Sequence, residues 1–257
     1  MHARVVRIGV VMGMAALWTA AFACATESWL LLRVTVIGSL WGCLAMTYLG
    51  VAHRMIPFFS ASALPRYEAV KPAWTLYLLV GASAFHGLLA MAGAAPWAWP
   101  VDLAAAVTAL WLSWKWQFRR SFAVRLLAML HIGFIWLGLA WLMAGIQGLL
   151  HVAGIEALGL APLHAMAVGF FATMTLAMVS RVSLGHSGRP LVADTLTWRL
   201  ALGLHGVAAL RVAADLLPVG HTALPAIAAL GWLAVFLPWA SRLVPIYLSR
   251  RADGKPG

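Results

Sequence analysis

The chain is poor in charge, and above all in acidic charge. Only 7 of its 257 residues are Asp or Glu, and charged residues make up 10% of the whole, against about 25% in a typical soluble domain. Apolar residues make up 63%, and the mean hydropathy is +0.91. This composition excludes an ordinary soluble domain and predicts a chain whose main solvent is lipid.

Cysteine is also scarce. The two cysteines, Cys24 and Cys43, each lie inside an apolar run and lack CxxC spacing. A disulfide framework and a cysteine-based zinc site are therefore not indicated, and packing between helices is the simpler interpretation.

Several motifs of known chemistry are missing as well. The sequence has no GxSxG, no phosphate-binding P-loop and no HExxH, so no hydrolase class is indicated. The acids within apolar runs, Asp102 and Asp215, lie near the ends of those runs. A proton-coupled transporter normally carries an acid near the membrane centre, so this class is weakened.

Long apolar runs fill most of the chain. Runs of about 20 apolar residues indicate transmembrane helices, and open strand edges cannot lie in lipid. The sequence therefore predicts an all-α, polytopic transmembrane helical bundle, a single integral membrane domain over residues 1–257 with about eight helices. The predicted spans are roughly 5–25, 29–53, 73–93, 97–114, 125–148, 160–181, 197–217 and 222–245.

Basic residues collect on one side of these spans. All but two of the 18 Lys and Arg residues lie near the chain termini or the loops that follow spans two, four and six. The alternate loops contain none and hold Glu27 and Glu156. Because Lys and Arg stay cytoplasmic, this pattern predicts a multi-pass membrane protein with both termini in the cytoplasm. The net charge of +11 then reflects topology and not nucleic-acid binding.

The first span also has features of a signal peptide. Arg4 and Arg7 precede an apolar core that ends in Ala21-Phe22-Ala23, as in a cleavable leader. The apolar stretch is long for a leader, so we expect it to remain as a helix.

Arg33 and Arg211 are the two basic residues outside the pattern. A guanidinium inside a membrane needs a partner. Arg211 has Asp215 one helical turn away, and Arg33 can extend to the outer interface. The alternative for both is an anionic group of a bound cofactor, such as a haem propionate.

Nine histidines are many for so apolar a chain. His2, His151 and His221 fall in terminal or outer segments, where we expect them to be solvated. Four others fall inside the predicted spans: His86, His131, His164 and His205.

These four histidines lie at two depths. His131 and His205 are each about 9 Å from the nearest inner basic residue, whereas His86 and His164 are about 22 and 26 Å away. Two ligands of one haem iron need similar depths, so the sequence predicts an inner pair and an outer pair. Imidazole also suits copper, and a hydrogen-bonded structural role is the third alternative.

Three segments carry a family resemblance. HAMAVGFFATMTLAMVSRVSLGHSGRPL begins at His164, HRMIPFFSASALP covers 53–65, and LAMLHIGFIWLGLAWL covers 127–142; LRV at 210–212 also fits. Together they resemble the NnrS family of bacterial membrane proteins. The resemblance covers spans two to seven, its longest segment is the most specific, and the chain is shorter than typical members, as in a short subfamily.

The resemblance implies a bacterial inner-membrane protein containing haem b, with copper as the alternative metal, that is connected with nitric oxide, denitrification or nitrosative stress. The positions carried over by motif match are His131, His164, His186, Arg54, Arg181 and Arg189. His86, His205, Arg33 and Arg211 are candidates from depth and charge alone. The alternative class is a transporter, or a membrane scaffold or subunit of a redox complex, in which the histidines are structural. Neither turnover nor an oligomeric state is implied.

Overall fold

The computed structural model describes residues 1–217 and 223–254. Within these ranges the chain is helical and contains no strand, which confirms the all-α prediction. A 3₁₀ turn, Ala95–Ala98, precedes the fourth long helix, and a one-turn helix, Phe118–Ser121, follows it. The eight long helices of the described ranges are α1 (His2–Ala25), α2 (Trp29–Ala63), α3 (Ala73–Met91), α4 (Trp99–Lys115), α5 (Arg125–Val152), α6 (Ala161–His186), α7 (Thr195–Leu216) and α8 (Ala223–Leu248).

Six of these eight helices are long and apolar enough to cross a membrane, all except α4 and α7. Helix α4 has 17 residues, about 25 Å at 1.5 Å per residue, which is short for a hydrocarbon core of about 30 Å. Helix α7 has 22 residues, but Arg199, Arg211 and Asp215 make it more polar. The chain is thus a multi-pass membrane protein by its helices, and the count of eight spans stays a prediction.

Helix α2 runs ten residues past the predicted end of its span. It continues from Arg54 through Pro57 to Ala63, because a charged residue limits a membrane span but does not end a helix. Helices α2 and α6 each contain a π-helical segment, Leu40–Ala45 and Ala165–Ala172. Such wide turns are rare and frequently occur at functional sites.

Helix α5 forms the centre of the bundle. Its buried residues include Phe134 and Trp141, and glycines let α4 approach it closely. A Cβ at Gly138 would lie 2.6 Å from Leu110 Cδ2, and one at Gly145 would lie 2.6 Å from Leu103 Cδ2. Small residues at such contacts are typical of helix packing in membranes, where van der Waals contact stabilises association.

Helix α6 packs on α5 through the small residues spaced every four positions along its sequence. All four are buried: Ala165, Gly169, Thr173 and Ala177. A Cβ at Gly169 would lie 2.6 Å from the Trp136 ring. Only glycine therefore allows this indole to lie against α6, and the indole reaches α7 from there.

The bundle has two chemically different ends. The basic end comprises residues 64–72, 116–124, 187–194 and 249–254 together with the start of α1; the opposite end comprises 26–28, 92–98 and 153–160. At the basic end, Asp194 caps α7 by accepting from the Thr197 backbone N–H at 2.8 Å and pairs with Arg242. The Thr197 N–H and the Arg242 guanidinium lower the pKa of the Asp194 carboxyl.

Candidate functional site

A cleft of about 410 Å³ lies at the opposite end of the bundle, within the size range of small-molecule sites. Helices α2, α3, α5 and α6 form its walls, and most lining atoms are apolar. Arg33, Trp41, His86 and Gln147 supply its polar groups. Leu40 and Trp41 come from the first π-helical segment and Met166 from the second, so both wide turns border this cleft.

His86 is held by a buried carboxylate. Its Nδ1 lies 3.0 Å from both carboxylate oxygens of Asp102, whose side chain is 1% exposed. Asp102 occupies the first turn of α4, where the helix dipole favours a negative charge. The Trp41 ring packs on the imidazole at a centroid distance of 4.3 Å, and Ser83 donates to the Trp41 carbonyl at 2.9 Å. The ring of His86 is thus fixed on two sides.

His164 is held in the same way on a neighbouring pair of helices. Its Nδ1 lies 2.6 Å from Asp215 Oδ2, and Arg211 donates to Asp215 Oδ1 at 2.8 Å. The pair that the sequence suggested for Arg211 is therefore present, but it also contains His164. None of these three side chains lines the cleft, although Leu163 and Met166 beside His164 do.

His86 and His164 share one arrangement. Each uses Nδ1 towards a carboxylate, and neither Nε2 has a hydrogen-bond partner within residues 1–217 and 223–254. A histidine that binds a metal typically donates its other ring N–H to a carboxylate, which fixes the tautomer and raises the basicity of the ligating nitrogen. Both imidazoles thus have the arrangement of a metal-binding histidine, in which Nδ1 meets a carboxylate and Nε2 is the nitrogen that would bind the metal.

The two histidines nearer the basic end have neutral partners. His131 Nε2 lies 3.0 Å from Ser60 Oγ in the buried core. Trp136 donates its indole N–H to His205 Nδ1 at 3.1 Å. A hydrogen bond to a neutral group satisfies a buried imidazole without making it a stronger ligand.

The remaining candidates lie apart at the basic end. Arg181 is buried, places its guanidinium over the Phe59 ring at 4.1 Å and donates weakly to Ser62 at 3.4 Å. Arg189 donates to Ser249 at 3.1 Å. Arg54 and His186 are exposed. The structure therefore does not bring these four positions into the cleft with His86.

The structure does not join the histidines that share a depth. In the part of the chain that it describes, no hydrogen bond or ring contact links His86 with His164, or His131 with His205. The same residues contain no group of three or more His, Cys, Asp or Glu side chains that could hold a metal ion. Arg33 and His86 are the two predicted site residues that meet in one cleft.

Two of the histidines expected in solvent take part in hydrogen bonds. His2 Nε2 lies 2.9 Å from Nδ1 of the buried His53, whose Nε2 lies 2.8 Å from Thr75 Oγ1. His151 pairs with Glu156 at 2.6 Å at the surface. His2 is partly exposed, and it contacts His53 because α1 and α2 pack side by side and bring both rings together. His221 lies outside the described residues.

Three residues in or beside the cleft were not predicted as site residues from the sequence: Asp102, Trp41 and Gln147. Asp102 carried a signal, since a lone acid in an apolar run is costly and usually has a partner. Trp41 and Gln147 carried none, because tryptophan is common in membrane helices and their place in the cleft depends on how α2, α3 and α5 assemble.

The fold and the site together define a class: a multi-pass helical membrane protein with histidine–carboxylate pairs at one end. The chain belongs to the NnrS family, since the family model described as "NnrS protein" matches residues 2–251. This match confirms the resemblance found in the sequence. No curated protein and no solved structure matches the chain.

Proposed function

We propose that this protein binds haem b in the bacterial inner membrane and acts in the response to nitric oxide or nitrosative stress. Membership of the NnrS family supports the connection with nitric oxide. The observation that carries the haem proposal is His86, an imidazole that lines a largely apolar cleft and is held through Nδ1 by Asp102 at 3.0 Å.

The residues of the cleft fit a haem. Haem iron is commonly held in proteins by histidine, and His86 would hold it here. Arg33 is exposed at the cleft, and its guanidinium suits a propionate. Trp41 and Met166 provide apolar contact. Copper is the alternative metal, but the described residues assemble no three-ligand group, so they favour a cofactor that brings most of its own donors.

Nitric oxide is the proposed small-molecule partner. When bound, haem iron supplies a coordination position for a diatomic ligand. Among the described residues, His86 is the single histidine that lines the cleft, so it is the residue that would hold the haem there. Asp102 would hold the His86 ring in place, and Trp41, which packs on it at a centroid distance of 4.3 Å, would restrict its rotation.

His164 is proposed as a second ligand position. Its Nε2 has the same preparation through Asp215, and Arg211 compensates the charge of that carboxylate. Six other residues stay predicted to bind a cofactor or metal, on the grounds of depth or family motif: His131, His205, His186, Arg54, Arg181 and Arg189. Lipid is the surrounding partner, and no nucleic-acid surface is proposed.

Purification in mild detergent with haem and metal quantification tests this function. We expect a Soret band in near-stoichiometric amount, which His86→Ala removes or shifts. His151→Ala is the matched control, since it removes an imidazole that pairs with Glu156 at the surface and does not line the cleft. A wild-type protein without haem, or variants with equal haem, would favour the alternative of a transporter or redox-complex scaffold with structural histidines.

The proposed orientation places the basic end in the cytoplasm. Reporter fusions after residues 66, 120 and 189 should then report the cytoplasm, and fusions after 95 and 155 the periplasm. A periplasmic signal at 120 would contradict eight spans.

A further inference from the structure

A second groove lies at the basic end, on the outer surface of α4 and α5. Its volume is about 550 Å³, and none of its lining residues belongs to the histidine cleft. Leu110 and Ile135 form an apolar floor along the helices, and Trp114 lies beside them with 68% of its surface exposed. The mouth of the groove is polar and contains Arg119 and Arg120.

The mouth carries positive charge that the protein does not neutralise. Arg119 is exposed and has no hydrogen-bond or ion-pair partner in residues 1–217 and 223–254. Arg120 donates to the Pro65 carbonyl at 2.6 Å and to the Gln117 side chain, which are both neutral. The Lys115 ammonium lies 4.6 Å from the Trp114 ring centre. None of the seven acidic residues lines the groove.

The turn after α4 fixes this arrangement. Gln117 adopts a left-handed conformation with φ 59°, which is uncommon for a residue other than glycine. Its backbone N–H donates to the Trp114 carbonyl at 2.9 Å and ends α4, and the short helix Phe118–Ser121 then begins. The two arginines are thereby placed beside the groove and not along the axis of α4.

We propose that this groove binds an anionic phospholipid. Its polar mouth with two guanidinium groups suits a phosphate-containing headgroup, and its apolar floor, which continues along α4 and α5, suits an acyl chain. Basic pockets between membrane helices on the cytoplasmic side recognise such headgroups. A soluble anion would use the mouth alone and leave the apolar floor exposed, so the amphiphile matches the whole groove better.

Native mass spectrometry of the full-length protein in mild detergent tests the proposal. Phosphatidylglycerol and phosphatidylcholine with identical acyl chains serve as probes, and inorganic phosphate serves as competitor. We expect a one-to-one phosphatidylglycerol adduct that phosphatidylcholine does not match and phosphate does not displace. Arg119→Gln should weaken phosphatidylglycerol binding about fivefold, as expected for one basic residue near the membrane surface.

Two further variants separate charge from folding. Arg250→Gln removes the same charge from an exposed position outside the groove and should bind like the wild type, as should Arg119→Lys. Ile135→Trp fills the floor without changing charge and should weaken binding while thermal unfolding stays cooperative. Equal binding of both lipids, displacement by phosphate, or equal losses in Arg119→Gln and Arg250→Gln would each overturn the proposal.

Discussion

The histidines of the two halves of the bundle differ in what holds them. In the half away from the basic end, His86 and His164 each contact a carboxylate through Nδ1. Nearer the basic end, His131 and His205 meet the neutral groups of Ser60 and Trp136. A carboxylate makes an imidazole a better ligand, whereas a neutral partner merely satisfies it. The number of histidines in a span therefore indicates less about binding than the partner of each ring.

Removing the carboxylate at His86 should have the largest effect on binding. In Asp102→Ala the ring loses its orienting partner, and losing a residue that holds a metal ligand in place costs about 10–100-fold in metal affinity or activity. Haem affinity measured by titration into the purified apoprotein should fall within that range. Ser60→Ala removes the neutral partner of His131 and should leave haem affinity unchanged. Equal losses in both variants would abolish the distinction between the two halves.

Removing the carboxylate at His164 should mainly affect stability. Asp215→Asn leaves Arg211 and His164 without their shared negative partner, and removing one partner of such a part-buried group costs about 1–3 kcal/mol. We expect a matching loss in the free energy of unfolding. Arg211→Gln should cost less, because Asp215 keeps His164 as a partner. Equal costs would show that His164 contributes nothing to the network.

The network of Arg211, Asp215 and His164 also determines which variants should shift the midpoint potential in a redox titration. If Arg211 paired with a propionate alone, Asp215→Asn would leave the midpoint potential unchanged. Because Arg211 and His164 share Asp215, we expect both variants to shift any potential that depends on His164. A shift in Arg211→Gln alone would indicate a direct contact between Arg211 and the cofactor.

The smallest effect is expected at the basic end, at Asp194. Asp194→Asn keeps a good helix cap but loses the ion pair with Arg242. The side chains of Arg242 and Asp194 are 46% and 49% exposed. Exposed pairs contribute about 0.2–1 kcal/mol, so thermal unfolding near pH 7 should show a loss of that size. The folded state lowers the pKa of Asp194, so its contribution is present above the unfolded pKa and disappears as pH falls through the folded pKa. The variant and the wild type should therefore converge in acid.

Much of the architecture was predictable from the sequence because lipid restricts the choice of structure. A chain with 63% apolar residues must pair its backbone groups within helices, and the positions of Arg and Lys separate a basic end from the other. The continuation of α2 to Ala63 was not predictable, because hydropathy reports where lipid ends and not where a helix ends. The polarity of α7 similarly left its membrane crossing undecided.

The candidate site was predictable in its residue types and not in its partners. The sequence by itself determined the helical class, the NnrS family and the set of histidines within apolar runs, because these depend on composition and on local motifs. Tertiary structure alone decided that Asp102 meets His86 across α3 and α4, that Asp215 joins His164 to Arg211, and that Trp41 closes on one ring. These contacts join residues 16, 51 and 45 positions apart, and a distance of that kind is set by how helices pack and not by any periodicity along the chain.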